Sequence, residues 1–308
     1  MRVIVVGLGV QGRKRLAVAG PDVVGTVDPV QPDATYRALG EVPLDAYDAA
    51  LVCVPDDVKV ELLTHLLGHG KHVLVEKPLL APGSATLGEL AGLARRRRAV
   101  CYTAYNHRFE PHVVRMKALL DSGDLGRVYR CRLFYGNGTA RDVRNSPWRD
   151  KGGGVLTDLG SHLLDTVLFW FGDRPWSFRV VSGHRFENAA FDHFVVGAEG
   201  EPVLELEMTL LAWRNHFTGD VLAERGSAHI ESLCKWGPST FVHRRRKLPS
   251  GRPDEESVTL VQSDPTWAVE YEHFQRACAG GEGNVANDVW INDRLNALTA
   301  AALAGARA

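Results

Sequence analysis

The first residues of the chain carry the pattern that most constrains its fold: a short apolar strand, a glycine-rich turn, and a second strand that ends in a carboxylate. Residues 2–6 (RVIVV) are largely β-branched, which is typical of a buried strand. They lead directly into residues 7–12 (GLGVQG), which have the G-x-G-x-x-G spacing. A second apolar strand over residues 23–27 ends at Asp28, 21 residues after Gly7. Together these features predict a turn that binds a dinucleotide.

Each part of this motif has its own task. Gly7 permits the tight turn, Gly9 lets the backbone approach a pyrophosphate, and Gly12 lets the following helix pack closely on the strand. That helix presents backbone N–H groups and the positive end of its dipole to the phosphates. Asp28 is placed to accept hydrogen bonds from ribose hydroxyls, and its charge would repel the additional phosphate of NADP. We therefore expect NAD as the cofactor and NADP as the less favoured one.

Three cations, Arg13, Lys14 and Arg15, follow the motif early in the same helix. One of them could reach a phosphate. Alternatively all three form a solvent-exposed helix face, which is the interpretation that we favour. Two further basic runs, residues 95–98 and 244–247, lie beside a helix end and a turn, so we interpret them as solvated surface.

The composition excludes several classes of partner. Lys and Arg number 36 against 37 Asp and Glu, so no overall field draws the chain to nucleic acid or to an anionic membrane. No apolar run is long enough to span a membrane, and a strand at residue 2 leaves no room for a signal peptide. The five cysteines are dispersed, which is typical of a reducing cytoplasm. We therefore expect a soluble cytoplasmic protein. No cluster of cysteines or carboxylates supports a zinc site, so we expect no metal.

Strand and helix patterns alternate through the first hundred or so residues, which predicts a parallel sheet covered on both faces. The passage between Asp28 and residue 49 is short, so we expect one strand there to be abbreviated. After residue 106 several strand patterns follow one another without helices, which predicts an antiparallel or mixed sheet. Residues 244–256 resemble a polar loop. The sequence thus predicts a Rossmann domain over residues 1–106 and an α/β domain over residues 107–308, whose terminal helix (290–304) could pack near the first domain.

Two groups of residues could carry acid–base chemistry. Lys77 lies in Glu76-Lys77-Pro78 at the carboxyl end of a predicted parallel strand, the edge where open α/β sheets bind ligands. Asp158 and His162 are spaced i, i+4 in a predicted helix, so the carboxylate can orient the imidazole as a general base. The alternatives are an exposed lysine in a turn, and a surface ion pair or helix-capping pair. The pattern alone leaves both alternatives open.

Four segments together resemble the glucose–fructose oxidoreductase / inositol dehydrogenase (Gfo/Idh/MocA) family. They are residues 7–12, residues 70–78 (GKHVLVEKP), residues 105–109 (YNHRF) and residues 153–162 (GGVLTDLGSH). The resemblance implies a Rossmann domain followed by an open, mostly antiparallel sheet that packs against another subunit, giving a homodimer or homotetramer. One segment departs from the family pattern, because Lys59 stands where a histidine often occurs. This departure affects the adenosine side of the cofactor site and leaves the reacting centre intact.

The resemblance also implies site residues. The catalytic set is Lys77, Asp158 and His162. Cofactor-binding positions are Gly7, Gly9, Val10, Gln11, Gly12, Asp28, Pro55, Glu76, Lys77, Pro78 and Asn106. Candidates for holding the substrate are Arg108, Trp148, Arg149, Trp213 and His162, each of which could instead support the fold.

The implied activity is hydride transfer between a nicotinamide and a secondary alcohol or ketone of a sugar, a nucleotide-linked sugar or a cyclitol. His162 would take the hydroxyl proton and Lys77 would hydrogen-bond the reacting oxygen, although either could be the proximal base. Two other functions stay open at this point. The chain could be a dinucleotide-binding regulator without catalysis, or a glycoside hydrolase that uses NAD transiently.

Overall fold

The computed structural model describes residues 1–147 and 149–305, which form two compact units. The first unit comprises Met1–Asn106 and Thr266–Asp293, and the second comprises His107–Pro265 and the residues from Arg294 onward. The sequence predicts a single boundary after residue 106. It does not predict that Thr266–Asp293 belong to the first unit. None of the described helices is both long and apolar enough to cross a membrane.

The elements are numbered in chain order. The strands are β1 (Val3–Val6), β2 (Val23–Val27), β3 (Ala49–Val52), β4 (His72–Glu76), β5 (Cys101–Ala104), β6 (Val128–Gly136), β7 (Ser177–His184), β8 (His193–Glu199), β9 (Val203–Thr209), β10 (His216–Ala223), β11 (Gly226–Glu231), β12 (Ser239–Arg245) and β13 (Asp254–Leu260). The helices are α1 (Val10–Ala19), α2 (Asp56–Gly68), α3 (Ser84–Arg97), α4 (Pro111–Ser122), α5 (Ala140–Arg144), α6 (Val155–Phe171), α7 (Thr266–Gly280) and α8 (Val285–Gly305).

The first unit is a parallel sheet in the order β2-β1-β3-β4-β5 with helices on both faces. Alternate side chains of β1 enter two separate cores, because neighbouring residues of a strand point to opposite faces. Ile4 packs in a core that contains Leu63 of α2 and Leu87 of α3. Val5 packs in a core that contains Phe274 of α7. This arrangement confirms the predicted Rossmann domain.

The short passage after β2 contains less regular structure than a full strand. Tyr36 forms an isolated parallel bridge to Val27, and Leu39–Glu41 form a 3₁₀ turn. The expected abbreviated strand is thus reduced to one bridge within residues 28–48. β3 then follows directly beside β1, so the carboxyl ends of β1, β2 and β3 lie at one edge of the sheet.

The second unit is a sheet in the order β13-β12-β11-β10-β6-β9-β8-β7, in which only the β6–β9 pair is parallel. Alternation along β6 buries Cys131, Leu133 and Tyr135 on one face and leaves Arg130 and Arg132 on the other. Helix α6 packs against the buried face through Leu156, Leu163 and other apolar residues. The mostly antiparallel sheet is confirmed.

The prediction of a loop over residues 244–256 was wrong at both ends. β12 continues to Arg245 and β13 starts at Asp254, so the connecting segment is residues 246–253. The two strands form an antiparallel pair, and ion pairs join them at this end, where Arg244 Nε lies 2.7 Å from Glu255 Oε2. The residues at these strand ends, 244–245 and 254–256, are all charged, so their sequence pattern is that of a loop.

Candidate active site

The glycine turn after β1 has the geometry that its sequence predicts. Gly7 has a φ of +90°, and a Cβ there would lie 2.4 Å from the carbonyl oxygen of Cys53. A Cβ on Gly12 would lie 1.8 Å from the carbonyl oxygen of Gly7, so α1 could not approach the turn. A Cβ on Gly9 would meet no atom within 4 Å. The turn is therefore closed around Gly7 and Gly12 and open in front of Gly9.

The residues around this opening fit a dinucleotide. Gly9 precedes the first turn of α1, and no side chain caps that helix end, so its backbone N–H groups can serve an anionic ligand. Val10 is 75% exposed at the same place, and Gln11 beside it is also exposed. Asp28 follows β2 at the carboxyl edge of the sheet. A pyrophosphate would thus meet open backbone and a helix N-terminus.

Asp28 is held as a carboxylate by backbone donors. Its Oδ2 accepts a hydrogen bond from the N–H of Leu8 at 2.7 Å, and its Oδ1 accepts from Val30 and Gln31 at 2.8 and 2.9 Å. Burial by itself would raise the pKa of Asp28, but these three donors outweigh it and hold the pKa below its usual value. The carboxylate is therefore ionised and joins the glycine turn to the end of β2.

The expectation of a solvated face for Arg13, Lys14 and Arg15 was wrong for Arg15. Arg13 is exposed and forms an ion pair with Asp33, its Nη2 donating to Oδ1 at 2.8 Å. Lys14 lies over the ring of Trp267, 5.1 Å from the centroid. Arg15 is only 1% exposed. A cation so deeply buried needs charged partners, which lie far away in the sequence.

Two glutamates bind Arg15 inside the first unit. Its Nε donates to Glu76 Oε1 and its Nη2 donates to Glu270 Oε2, both at 2.7 Å. Glu270 is fully buried in α7, and the ring of Trp267 covers the guanidinium at 4.3 Å. Glu76 is one of the expected cofactor-binding residues, and here its side chain holds the end of β4 to α1 and α7.

Lys77 and Pro78 follow Glu76 at the carboxyl edge of the sheet, and Lys77 is partly exposed. Lys59 of α2 is buried beneath this segment, and its Nζ donates to the carbonyl oxygens of Glu76 and Pro78 at 2.7 and 2.8 Å. Of the other expected cofactor residues, Pro55 lies exposed before α2, and Asn106 is buried with its Nδ2 donating to Thr266 Oγ1 at 3.0 Å.

Helix α6 carries Asp158 and His162 in the second unit. It begins after Gly154, which has a φ of +52° and whose Cβ would lie 2.3 Å from the carbonyl oxygen of Phe191. His162 is 6% exposed. Asp158, one turn earlier, is 37% exposed and lies 3.6 Å from Nη2 of Arg149. The helix thus presents a buried imidazole and a solvent-accessible carboxylate.

Aromatic and basic side chains surround His162. His107 stacks on it with ring centroids 4.1 Å apart, and Tyr135 lies edge-on at 5.8 Å. Burial, and then the charge of Asp158, raises the pKa of Tyr135, so the phenol stays protonated. Lys235 Nζ lies 2.9 Å from His107 Nε2, and since an ammonium only donates, this nitrogen accepts. Trp236 packs on Tyr135 at 5.5 Å.

Sequence reasoning did not assign a role to His107 and Tyr135, which contact His162, or to the two residues that contact them, Lys235 and Trp236. His107 was part of the 105–109 segment, but its stacking on α6 depends on the tertiary fold. Tyr135 faces the same side of β6 as Leu133, which strand alternation does indicate. Lys235 and Trp236 lie in a 3₁₀ turn after β11, and no local pattern connects that turn to α6.

The substrate candidates occupy different environments. Arg108 Nε and Nη2 donate to the buried carboxylate of Asp165 at 2.7–3.0 Å, which supports the fold of the second unit. Arg149 pairs with Asp158. Trp213 is 93% exposed in a loop before β10, with a φ of +59°. Trp148 lies outside the described residues.

One cluster of three possible metal ligands occurs in the described part of the chain. Glu110, Cys234 and Asp264 place ligand atoms within 4.8 Å of one another. Burial raises the pKa of Cys234 to about 12, so the thiol is protonated and donates to Glu110 Oε2 at 3.1 Å. His65 and His69 are four residues apart, but His69 Nδ1 is bonded to the carbonyl oxygen of His65 at 2.8 Å. Hydrogen bonds thus join Cys234 to Glu110 and His69 to the backbone of α2.

Comparison with known proteins identifies the family. A model of an oxidoreductase family with an NAD-binding Rossmann fold matches residues 1–105, and the GFO/IDH/MocA C-terminal domain matches residues 113–229. The chain belongs to the Gfo/Idh/MocA family. The resemblance that the sequence motifs indicate is thereby confirmed for both units.

Curated relatives of this family member include proteins named as dehydrogenases. The scyllo-inositol 2-dehydrogenase (NADP(+)) IolW of Bacillus subtilis (strain 168) is 32% identical over 147 residues, which cover 46% of this chain and 40% of that protein. The trans-1,2-dihydrobenzene-1,2-diol dehydrogenase of Oryctolagus cuniculus is 28% identical over 217 residues, covering 68% of this chain and 63% of that protein. The chain thus spans less than two thirds of the length of either relative.

Solved structures share the fold over nearly the whole chain. Levoglucosan dehydrogenase in complex with NADH superposes with a TM-score of 0.83 at 18% identity and covers 98% of this chain and 97% of its own. At that identity the likeness shows the fold alone.

Proposed function

We propose that this protein is an NAD-dependent oxidoreductase that transfers a hydride between the nicotinamide and a secondary alcohol or ketone of a sugar, a nucleotide-linked sugar or a cyclitol. The observation that carries the proposal is the intact dinucleotide turn, with open space before Gly9 at an uncapped helix N-terminus and the Asp28 carboxylate beside it. Membership of the family supports the reaction type, and the names of the relatives support a polyhydroxylated substrate.

The proposed catalytic set is Lys77, Asp158 and His162. NAD, when bound, supplies the hydride acceptor for alcohol oxidation. His162 takes the proton of the substrate hydroxyl, and its burial among aromatic rings shields that proton transfer from bulk water. Asp158 favours the imidazolium that forms. Lys77 hydrogen-bonds the reacting oxygen and offsets its developing negative charge.

Other residues would hold the cofactor and the substrate. Gly7, Gly9, Gly12 and the first residues of α1, Val10 and Gln11, would receive the pyrophosphate. The remaining proposed cofactor positions are Pro55, Glu76, Pro78 and Asn106. Arg149, which pairs with Asp158, is one proposed substrate ligand. Exposed Trp213 is another, because it offers an aromatic face for a sugar ring.

Steady-state kinetics with a substrate panel tests this function. The panel contains scyllo-inositol, levoglucosan and UDP-N-acetylglucosamine, with NAD and NADP each in turn. We expect NADH formation that saturates with at least one of these alcohols. Absence of turnover, with NADH still bound, would favour a dinucleotide-binding regulator. Release of free sugar from glycosides without net NADH would favour an NAD-recycling hydrolase.

We also propose that NAD is preferred over NADP because of Asp28. In Asp28→Ser the negative charge at the end of β2 is lost, while the charge of Arg13, which is paired with Asp33, stays nearby. We expect the ratio of NADPH to NADH affinity to rise by about tenfold or more, since like-charge contacts cost several kcal/mol. Fluorescence titration of both reduced cofactors measures this ratio.

Asp45→Ser is the control for the cofactor test. It removes the same charge before β3, at the amino edge of the sheet, so the ratio should stay at the wild-type value. Unchanged selectivity in Asp28→Ser would show that this carboxylate does not discriminate between the two cofactors.

We further propose a homodimer or homotetramer formed through the sheet of the second unit. The face opposite to α6 carries charged rows, such as Arg130 with Glu205, and exposed apolar side chains, such as Val203 and Leu222. A second copy of the chain could cover this mixed surface. Sedimentation equilibrium should give the mass of two or four chains, and the mass of one chain would contradict the proposal.

A further inference from the structure

Lys59 is a buried lysine whose three donors are all used. Its side chain, in the first turn of α2, belongs to a residue that is 1% exposed. The ammonium donates to Asp56 Oδ1 at 2.6 Å, to the carbonyl oxygen of Glu76 at 2.7 Å and to that of Pro78 at 2.8 Å. An ammonium has three N–H groups, so this set of partners is complete. A charge that is taken out of water is tolerated only with such pairing.

The two carbonyl groups that Lys59 binds lie on either side of Lys77. The peptide unit before Lys77 and the peptide unit after Pro78 are therefore held to one point in α2. The side chain of Glu76 is held separately, because its Oε1 accepts from the buried Arg15 at 2.7 Å. The backbone that carries Lys77 is thus fixed by one cation through its carbonyls and by another through the neighbouring side chain.

We infer that Lys59 is a positioning residue for Lys77. By holding the carbonyls of Glu76 and Pro78, it fixes the direction in which the Lys77 side chain leaves the sheet edge. This inference rests on the proposed function, in which Lys77 contacts the reacting oxygen. Small displacements of a catalytic group lower the rate of chemistry more than they lower substrate binding. The alternative is that Lys59 only joins α2 to the end of β4.

Lys59→Met tests the inference, with Lys71→Met as the matched control. Lys71 also donates from its Nζ to a backbone carbonyl, that of Tyr47 at 2.8 Å, but it precedes β4 at the opposite end of the strand. We expect kcat of Lys59→Met to fall by about 10- to 100-fold, a larger change than that of the substrate KM or of the NADH Kd. Lys71→Met should retain the wild-type kcat. The kinetics use the best substrate of the panel above.

The conservative variant Lys59→Arg separates positioning from packing. It keeps the charge and the donors, so we expect it to recover a large part of the lost kcat even where its melting temperature is no higher than that of Lys59→Met. Should Lys59→Met fail to fold, Asp56→Asn weakens the same cluster from its partly exposed side and should lower kcat in the same direction. Equal kcat in Lys59→Met and Lys71→Met would overturn the inference.

Hydrogen exchange measured by mass spectrometry gives a readout that needs no turnover. In Lys59→Met, peptides that cover residues 76–80 should exchange faster than in the wild type, and peptides from β1 should not. If the wild-type protein turns over no alcohol, the proposed function fails, while faster exchange confined to residues 76–80 still supports the anchoring by Lys59. Unchanged exchange there refutes the anchoring whatever the activity.

Discussion

His162→Gln is expected to lower kcat by about two to four orders of magnitude, the usual contribution of a general acid–base group. Glutamine fills a similar volume and can still form hydrogen bonds, but it cannot accept a proton near neutral pH. NADH affinity should stay near the wild-type value, because the glycine turn belongs to the other unit of the chain. Initial-rate kinetics with the best panel substrate measure kcat, and a separate NADH titration measures the affinity.

The control is a second buried histidine of the same unit. His112 is 1% exposed and its Nε2 is bonded to the carbonyl oxygen of Ser239 at 3.1 Å. His112→Gln should lower the melting temperature and leave kcat within a few-fold of wild type. A comparable loss of kcat in both variants, or a parallel loss of NADH binding in His162→Gln, would argue against a role of His162 in proton transfer.

Gly12→Ala is expected to abolish NADH binding and to destabilise the first unit. The added Cβ would lie 1.8 Å from the carbonyl oxygen of Gly7, a backbone atom that cannot rotate away. Helix α1 must then move away from the turn, and overpacking of this kind costs about 1–3 kcal/mol or more. Thermal unfolding without cofactor should show a lower melting temperature, and NADH should no longer raise it.

Gly9→Ala separates binding from stability. Gly9 has a φ of −69°, which alanine adopts easily, and its Cβ would meet no atom within 4 Å. The melting temperature without cofactor should therefore be unchanged, while the methyl group enters the space that the proposed pyrophosphate needs. We expect at least about tenfold weaker NADH binding, or about 1.4 kcal/mol. Wild-type affinity in Gly9→Ala would show that the phosphates do not lie against this turn.

Several features of the fold follow from short stretches of sequence. The strand, turn and acid over residues 2–28 predict the Rossmann domain, because each part is a local requirement for backbone conformation or close packing. Helix α6 is similar, since its periodicity places Leu156 and Leu163 in the core. Local patterns were less informative at the paired ends of β12 and β13, where charged residues such as Arg244 and Glu255 contact each other across the strands.

The surroundings of the proposed catalytic residues were less predictable. The sequence marked Lys59 as a departure from the family pattern, but its position between Glu76 and Pro78 is visible only in the structure. The same holds for Lys235, which approaches His107 from 128 residues away in the chain. A pattern of residues indicates which side of an element is apolar, but it does not indicate which distant polar groups meet there.

The sequence by itself determined the family, the dinucleotide turn and the identity of the candidate acid–base residues. Only the tertiary structure decided that Arg15 is a buried cation between Glu76 and Glu270 rather than part of a solvated helix face. The physical reason is that burial of a charge depends on its partners, and Glu270 comes from α7, 255 residues further along the chain. Local periodicity contains no information about such a partner.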